Sequence, residues 1–392
     1  MAVAWDDDPV VAAWPGLPPL DADVTADVCV VGLGASGLAA VQAATDRRLR
    51  VVGIDAGRVA AGAAGRNGGF LLGGPAKQLH ACIDSWGAEP ALWLYRETVA
   101  ELDRLEDELP AVVRRVGSIR LAGLPGEPQS DAEAADRVAE AHDCALEQTA
   151  LRANGLPVEE YSGPLGAGIY LPHDAAVNPA RRAVEVAKRL VGASLYENTA
   201  ARAIESGRVV TDRGVISAGV VIVAVDGHLE TLLPQLAGHV RTTRLQMLGT
   251  APVAAGRLPC PVYGRWGYDY AQQDADGRLY VGGGRDLFVD EEWTVDSEPT
   301  ERVQSYIETV AARMAGEPVQ VTHRWAASVG YTPDGRAICA QVMPGVVACG
   351  GYNGTGNLVG PVAARSALAL ALDGTAPSEA FNSRVNGSEA QL

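Results

Sequence analysis

Short runs of consecutive apolar residues alternate with longer amphipathic stretches along most of this chain. The runs at 27–32, 50–55 and 220–225 predict buried strands of the parallel type. Strong helix formers fill 35–48, between the first two runs, so 27–55 is predicted to be a strand–helix–strand unit. Further helices are predicted at 88–108, 130–153, 180–190, 301–314 and from about Leu358 to Leu372, the second of these without a clear capping residue.

Alternating apolar and polar positions predict antiparallel strands at 241–253, 268–273 and 277–284, separated by turns such as the one at 274–277. Two segments show neither the helical nor the strand pattern of apolar positions. Residues 1–26 are rich in proline and aspartate, which predicts an extended arm on the surface. Residues 56–74 carry seven glycines, which predicts a loop.

Length and charge narrow the class of protein. A chain of 392 residues exceeds the usual size of one hydrophobic core, so two domains are expected. The net charge of −16 argues against a nucleic-acid or anionic-membrane partner and fits either solubility or attraction of cationic substrates such as amines. No apolar run is long enough to span a bilayer, and the acidic N-terminus is unlike a signal peptide.

Six scattered cysteines without metal-binding spacing indicate reduced, mostly buried thiols and no metal site. Together with the acidic N-terminus, they predict a cytoplasmic enzyme. The chain also lacks a GxSxG, HExxH, P-loop or paired-carboxylate pattern, so nothing supports a hydrolase, metalloprotease or kinase.

A GxGxxG pattern stands between the first predicted strand and helix, formed by Gly32, Gly34, Ala35, Ser36 and Gly37. The glycines allow a tight turn, close approach of a pyrophosphate, and close packing of strand and helix. The helix N-terminus offers free N–H groups to phosphate. Asp55 ends the second strand, where a carboxylate can bind ribose hydroxyls. This context predicts dinucleotide binding.

Two later glycine-rich segments favour FAD over NAD. The first contains Arg66, Asn67, Gly68 and Gly69, and could wrap the pyrophosphate and the flavin edge. The second runs from Cys349 to Asn357, between a buried strand and the last long helix. Its backbone donors could stabilise a reduced flavin, although an ordinary strand–helix turn has the same composition.

Six segments in order resemble the D-amino-acid oxidase superfamily, in particular its gamma-glutamylputrescine oxidase-like and glycine/sarcosine oxidase-like branch: VVGLGASGLAA, AAGRNGGF, IYLPHDAAVNPAR, DGRLYVGGGRD, WAASVGYTPDGRAI and ACGGYNGTGN. The resemblance implies an α/β fold with a Rossmann-type FAD-binding domain and an α+β substrate domain whose antiparallel sheet covers the flavin. We expect the first domain at 1–85, 165–238 and 322–392, and the second at 86–164 and 239–321.

The resemblance also implies roles for individual residues. Ala35 and Ser36 should contact the pyrophosphate, Asp55 the ribose, and the backbone of Ala201 the adenine. Arg66 to Gly69 should line the flavin. The isoalloxazine should meet the final glycine-rich loop, namely Gly351, Tyr352, Asn353, Gly354, Thr355 and Gly356.

The sequence departs from the family pattern in three respects. Val329 and Gly354 stand where relatives place carboxylate-binding arginines, which argues against an α-amino-acid substrate unless Arg120, Arg244, Arg265 or Arg285 takes over; each is otherwise a surface or structural arginine. Ala326, Ala327 and Ser328 stand where relatives attach flavin through a cysteine, so FAD is expected to be non-covalent. Tyr280 stands where relatives carry an oxygen-activating lysine.

Tyr268, Tyr270 and Gln272 alternate along one predicted strand, where they either face the flavin and hold an apolar amine or form an ordinary sheet face. We therefore expect an FAD-dependent oxidoreductase that oxidises a C–N bond of a small amine by hydride transfer to flavin N5, with O2 as acceptor. The alternatives are a flavin dehydrogenase with another acceptor, action on a C–O bond, or a flavin-holding subunit of a larger complex.

Overall fold

Two large β-sheets dominate the computed structural model of this chain, which describes residues 3–382. The strands are β1 Val24–Val31, β2 Val51–Ile54, β3 Phe70–Leu71, β4 Ser118–Leu121, β5 Glu159–Gly163, β6 Gly166–Leu171, β7 Ala175–Ala176, β8 Ser194–Tyr196, β9 Ala201–Glu205, β10 Arg208–Thr211, β11 Val215–Val223, β12 Arg241–Thr250, β13 Val262–Gly264, β14 Asp269–Gln273, β15 Leu279–Gly282, β16 Val321–Tyr331, β17 Ile338–Met343 and β18 Val346–Gly350.

The α-helices are α1 Pro9–Ala12, α2 Ala35–Asp46, α3 Ala63–Arg66, α4 Leu79–Trp86, α5 Ala88–Glu108, α6 Asp131–Ala153, α7 Pro179–Arg189, α8 Leu229–Leu232, α9 Val289–Glu292, α10 Glu301–Ala315 and α11 Val359–Asp373. Short 3₁₀ turns lie at Ala4–Asp7, Pro234–Leu236 and Arg265–Gly267. Within residues 3–382, no helix has the length and apolar character needed to cross a bilayer.

The first sheet has the strand order β17-β18-β11-β1-β2-β8, and a hairpin of β9 and β10 joins it at β11. Its central strands, from β18 to β8, run parallel. Val28 and Val30 of β1 face a core covered by α2, α7 and α11, whereas Cys29 and Val31 face a second core beneath the β9–β10 hairpin and α8. Burial on both faces explains the continuous apolar run in the sequence.

The second sheet has the order β16-β12-β15-β14-β13-β4-β6-β5, with antiparallel pairing except between β13 and β4. Helix α10 covers one face through Val303, Ile307, Val310 and Met314. The other face contacts the glycine-rich loops beside the first sheet, for example where Gln272 donates to the carbonyl of Gly68. The predicted fold class, a Rossmann-type unit plus an antiparallel sheet, is confirmed.

The limits of the two domains remain a prediction. Strands β6 and β16 belong to the second sheet, although 165–238 and 322–392 were assigned to the dinucleotide-binding domain. The chain crosses between the two large sheets as often as these limits imply, but two of the crossings lie later in the sequence, after β6 and after β16.

The prediction of an extended surface arm over residues 1–26 is wrong for residues 4–12 and for a few buried side chains, whereas residues 13–23 form neither helix nor strand. Residues 4–12 form a 3₁₀ turn and α1, because Asp8 caps the N–H of Val10 at 2.8 Å and Pro9 fits the first helical turn. Trp5 is only 3% exposed, and Leu20 only 1%. Trp5 and Leu20 thus anchor the arm in the interior, while most of its other described residues are exposed or half-buried.

Two local predictions also need correction. The 56–74 loop contains the single turn α3 and the short strand β3, which pairs with β7. Helix α6, for which no cap was evident, is capped by Ser130, whose hydroxyl accepts from the N–H of Glu133 at 3.1 Å. Helix α4 was not predicted. By contrast, all six cysteines are free and buried, as expected.

A buried carboxylate, that of Asp174, joins three distant segments. The carboxylate accepts from the N–H of Gly73 at 2.8 Å and from the hydroxyl of Ser118 at 2.6 Å. The backbone carbonyl of Asp174 accepts from the N–H of Gly117 at 2.9 Å. Burial raises the pKa of Asp174 from 3.8 to about 6.

Replacing Asp174 by Asn should therefore change how stability depends on pH. Between pH 4 and 6 the folded protein holds a proton that the unfolded chain has released, so stability falls as the pH rises through this window. In the isosteric Asp174→Asn variant the amide oxygen can still accept from Gly73, and the amide N–H can donate to the Ser118 hydroxyl, but the side chain has no titrating proton. Relative to the variant, the wild type should lose about 2–3 kcal/mol between pH 4 and 7 in urea unfolding. Parallel pH profiles would contradict this assignment.

Candidate active site

The turn after β1 has the geometry that the glycine pattern predicts. Gly32 has φ +96°, and a Cβ there would lie 2.8 Å from the carbonyl oxygen of Ala224. A Cβ at Gly37 would collide with the carbonyl oxygen of Gly32. A Cβ at Gly34 would meet only the Cβ of Ala64, at 3.4 Å, so the space above this residue is open. Helix α2 begins here without a side-chain cap, which leaves the N–H groups of its first turn available to an anion.

Asp55 fixes this turn from the end of β2. One carboxylate oxygen accepts from the N–H of Leu33 and the other from the N–H of Gly57, both at 2.8 Å. Burial raises the pKa of Asp55 above its ordinary value. Each oxygen retains a lone pair for a further donor. Ala201 lies close by in the fold, two residues after Thr199, whose N–H donates to the carbonyl of Asp55 at 2.8 Å.

Three consecutive carbonyls of the second glycine-rich loop each accept a side-chain donor. The indole of Trp325 in β16 donates to Arg66 at 2.8 Å, and the indole of Trp5 in the arm donates to Asn67 at 2.9 Å. Gln272 in β14 donates to Gly68. Three separate parts of the chain therefore hold one side of this loop.

The side chain of Asn67 belongs to a second hydrogen-bond network. It exchanges hydrogen bonds with Asn357, at 2.9 and 3.3 Å, just before α11. The guanidinium of Arg182 donates to the side-chain and backbone oxygens of Asn357 at 3.0 and 2.8 Å. Arg182 is buried, and burial lowers its pKa to about 10. Both glycine-rich loops are thus joined beside a buried cation.

The loop after β18 is held by Asp226, whose carboxylate accepts from the N–H of Tyr352 at 2.9 Å. Burial raises the pKa of Asp226 to about 6. Asn353, at φ +55°, accepts from the N–H of Thr332 at 2.9 Å. The ring of Tyr352 packs near Gly356 and Gly360 and is 3% exposed, so this side chain lies in the core. The hydroxyl of Thr355 donates to the carbonyl of Tyr352 at 2.8 Å.

A small cavity of about 50 Å³ lies between the two loops. It is lined by Leu245, Gln246, Gly267, Tyr268, Tyr270, Gly283, Arg285 and Tyr331. A Cβ at Gly68 would lie 3.0 Å from the ring of Tyr270, and one at Gly354 would lie 3.4 Å from the hydroxyl of Tyr331. Tyr268 and Tyr270 therefore meet here, whereas the side chain of Gln272 is engaged by Gly68 and Val177.

Four arginines were candidates for binding a substrate carboxylate, and they differ in the residues that they contact. Arg120 lies against Tyr263 and Glu147, Arg244 binds Glu292 at 2.8 Å, and Arg265 binds Asp269 at 2.8 Å. These three are structural. Arg285 faces the cavity instead.

Tyr280, which stands where relatives carry a lysine, contacts Trp5 and Asp274. Its ring stacks on Trp5 with 3.5 Å between centroids, and its hydroxyl donates to Asp274 at 2.8 Å. The lysines of the chain, Lys77 and Lys188, do not line the cavity.

Sequence reasoning missed the residues that support the loops. Trp5, Trp325, Tyr331 and Arg182 act through contacts between segments far apart in sequence. Only the WAASVGYTPDG segment, which contains Trp325 and Tyr331, pointed to this region.

The fold and this pair of loops define a class of protein. Residues 27–370 match the family described as FAD dependent oxidoreductase, and the chain belongs to that family, the D-amino-acid oxidase family. The resemblance found in the sequence motifs is confirmed.

Individual relatives agree with this class. The chain is 28% identical over 386 residues to the probable oxidoreductase OrdL of Rhizobium meliloti (strain 1021), covering 91% of this chain and 86% of the relative. It is 27% identical over 290 residues to the gamma-glutamylputrescine oxidoreductase of Escherichia coli (strain K12), covering 68% and 66%. Glycine oxidase from Geobacillus kaustophilus shares the fold, with a TM-score of 0.71, 20% identity and coverage of 91% and 96%.

The residues fit FAD. The open space above Gly34 and the uncapped start of α2 suit a pyrophosphate, and Asp55 has lone pairs for ribose hydroxyls. The loops at 66–69 and 351–356 could hold the flavin beside the cavity. Within residues 3–382, no cluster of three or more His, Cys, Asp or Glu side chains could hold a metal ion.

Gly34→Val should separate folding from cofactor binding. Gly34 has φ −78° and ψ −166°, which valine tolerates, but the side chain would fill the space above the turn. We expect unfolding of the apoprotein to change by less than about 0.5 kcal/mol, while FAD affinity falls about tenfold or more. Titration of apoprotein with FAD tests this, and Gly34→Ala should give a smaller loss. Unchanged affinity in the valine variant would exclude this turn as the pyrophosphate site.

Trp5→Phe should weaken FAD binding without removing the aromatic stack on Tyr280. It deletes the N–H that serves the carbonyl of Asn67, a loss of about 1–3 kcal/mol for a buried acceptor. FAD affinity should fall severalfold in the same titration. Trp93→Phe, in a partly buried ring packed against Phe381, is the matched control and should not change it. If Trp5→Phe lowers only the melting temperature, the arm supports the fold but not the cofactor loop.

Proposed function

We propose that this chain oxidises the C–N bond of a small amine or amino-acid-like molecule, using FAD held by the two glycine-rich loops. The observation that carries the proposal is the cavity walled by Tyr268, Tyr270 and Tyr331. The ring of Tyr270 lies against the loop at Gly68, and the hydroxyl of Tyr331 lies near the other loop at Gly354. A substrate bound there would lie beside the flavin.

FAD supplies the acceptor for the hydride that leaves the carbon next to the amine nitrogen. The nitrogen lone pair forms the C=N bond as this hydride leaves, and water then hydrolyses the imine. The residues of the chain orient the amine and exclude water around the reacting bond. They need not remove a proton from carbon.

The tyrosines fit this binding role better than a role as bases. Burial raises the pKa of Tyr270 well above its ordinary value of 10, so its hydroxyl stays neutral near pH 7. A neutral phenol donates a hydrogen bond and offers an apolar ring face. Tyr268 and Tyr270 would therefore position an unprotonated amine.

We further propose that FAD is bound non-covalently. The six thiols are at most 5% exposed, and none lies in the loops at 66–69 or 351–356. Burial raises the pKa of Cys349, the nearest in sequence to the second loop, to about 12, which disfavours the reactive thiolate.

For the electron acceptor we propose O2. A dehydrogenase with another acceptor is the second candidate. It is favoured by Tyr280, which stands where relatives carry a lysine and whose ring stacks on Trp5. The names of the relatives are compatible with both: gamma-glutamylputrescine oxidoreductase and glycine oxidase suggest C–N substrates, and L-proline dehydrogenase from P. horikoshii shares the fold, with a TM-score of 0.71 at 16% identity.

The test is anaerobic bleaching of the flavin absorption with primary amines, secondary amines, polyamines, amino acids and alcohols, followed by readmission of air. Bleaching by an amine supports C–N oxidation, and its rate should rise with pH towards the pKa of the bound amine. Rapid recovery in air identifies an oxidase, and slow recovery a dehydrogenase.

Other outcomes would contradict the proposal. Bleaching by alcohols alone would assign a C–O substrate. A flavin that stays oxidised with every compound, until a partner protein is added, would indicate a flavin-holding subunit. A rate of flavin reduction that is independent of pH would argue against hydride transfer from the unprotonated amine.

A further inference from the structure

A buried cation, the guanidinium of Arg182 in α7, lies beside the point where the loops at 66–69 and 351–356 are joined. Arg182 is only 5% exposed. Its terminal nitrogens donate to the side-chain and backbone oxygens of Asn357 at 3.0 and 2.8 Å. Both acceptors are neutral, so dipoles satisfy the guanidinium and no opposite charge balances it.

The positive charge of Arg182 persists in the interior. Burial and, after it, the positive charge of Arg104 lower the pKa of Arg182 to about 10, so the guanidinium stays protonated near pH 7. Among residues 3–382, no Asp or Glu forms an ion pair with Arg182, and the buried acid Glu101 binds Arg104, at 2.6 Å, and Arg365. The folded chain therefore encloses a full positive charge without a counter-ion of its own.

The start of α11 adds a second positive field at the same place. This 15-residue helix begins at Val359, two residues after Asn357, and its first turn contains no acidic residue. The aligned peptide dipoles of a helix place a partial positive charge at its N-terminus. Two positive fields that meet in the interior are unfavourable unless an anion lies near both of them. This region of the fold is thus suited to a negatively charged ligand.

Arg182 also sets the direction of the amides that join the two loops. A guanidinium has donors only, so Asn357 turns its Oδ1 towards Arg182 and its Nδ2 away. Nδ2 then donates to Oδ1 of Asn67 and to the carbonyl of Phe70, both at 2.9 Å. Asn67 in turn accepts from the N–H of Gly69, in its own loop, at 2.8 Å. Arg182 thereby specifies, through two amides, the conformation of this loop.

We propose that Arg182 is a positioning residue for FAD, which orients the two asparagines that join the loops and whose charge favours reduced over oxidised FAD. This inference rests on the proposed place of the flavin between these loops. The hydride that leaves the substrate carries two electrons and one proton, so FAD gains a negative charge unless it takes up a second proton. A buried cation nearby stabilises that charge and is weakly screened by salt. Arg182 would act on the reaction in this way although it does not line the cavity.

The test measures the midpoint potential of bound FAD, by stepwise anaerobic reduction in equilibrium with a reference dye, and the affinity of the apoprotein for oxidised FAD. Arg182→Gln removes the charge and keeps one amide donor. Its potential should fall by about 30 mV or more, which corresponds to reduced FAD losing about tenfold more affinity than oxidised FAD. Arg182→Lys retains the charge but not the paired donors, and its potential should stay closer to that of the wild type.

Two further variants separate the charge from its surroundings. Arg182→Met has a neutral, adaptable side chain without donors, and it should lower the potential as much as Arg182→Gln if the charge is the cause. Arg181→Gln is the matched control, since Arg181 is the neighbouring arginine of α7 but lies against Asp8 of the arm, with 3.6 Å between the charged atoms. It should keep the wild-type potential.

The inference is overturned if both neutral variants keep the wild-type potential, or if Arg181→Gln lowers the potential by the same amount. Equal losses of affinity for oxidised and reduced FAD leave the potential unchanged and would show that Arg182 only supports the loops. Complete loss of FAD binding in both neutral variants would also overturn a preference for the reduced form. No amine is used, so failure here is distinct from failure of amine oxidation, which flavin bleaching reports.

Discussion

The arrangement of the site depends on one constraint: three consecutive backbone carbonyls of the loop at 66–68 are enclosed between the sheets and need donors. Trp325, Trp5 and Gln272 supply them. A buried carbonyl without a partner is costly, so the loop is stable only where all three donors meet. Because the donors come from β16, the arm and β14, the position of the loop also fixes the second sheet relative to the first.

That constraint leaves the other side of the loop free for a ligand. The side chain of Asn67 turns towards Asn357 and ties the loop to the start of α11, while Arg182 brings a buried positive charge without a carboxylate within 4.0 Å in the described residues. A buried charge is stable when it is paired or hydrogen-bonded. Here amide and carbonyl oxygens satisfy it, so its field remains available to an anion bound between the loops.

Much of the fold was predictable because its determinants are local. The apolar run of β1, the glycines at 32, 34 and 37, and the acid at 55 each specify a strand, turn or cap within a few residues. The role of Trp5 was not predictable, since it depends on a stack with Tyr280, 275 residues further along. The same holds for Arg285, which sequence alone could not distinguish from the paired Arg244 and Arg265.

The contrast among these arginines shows how the cavity acquires its chemistry. The chain has more acids than bases, and many of its arginines pair with a carboxylate, as Arg244 does with Glu292. Near the cavity the carboxylates are already paired, because Asp269 and Asp286 both bind Arg265, which lies next to the aromatic wall. Arg265 thereby neutralises the local acids, and Arg285 keeps an unbalanced charge against Tyr268 and Tyr331. The net charge at the cavity thus depends on the ion pairs of Arg265, which does not itself line the cavity.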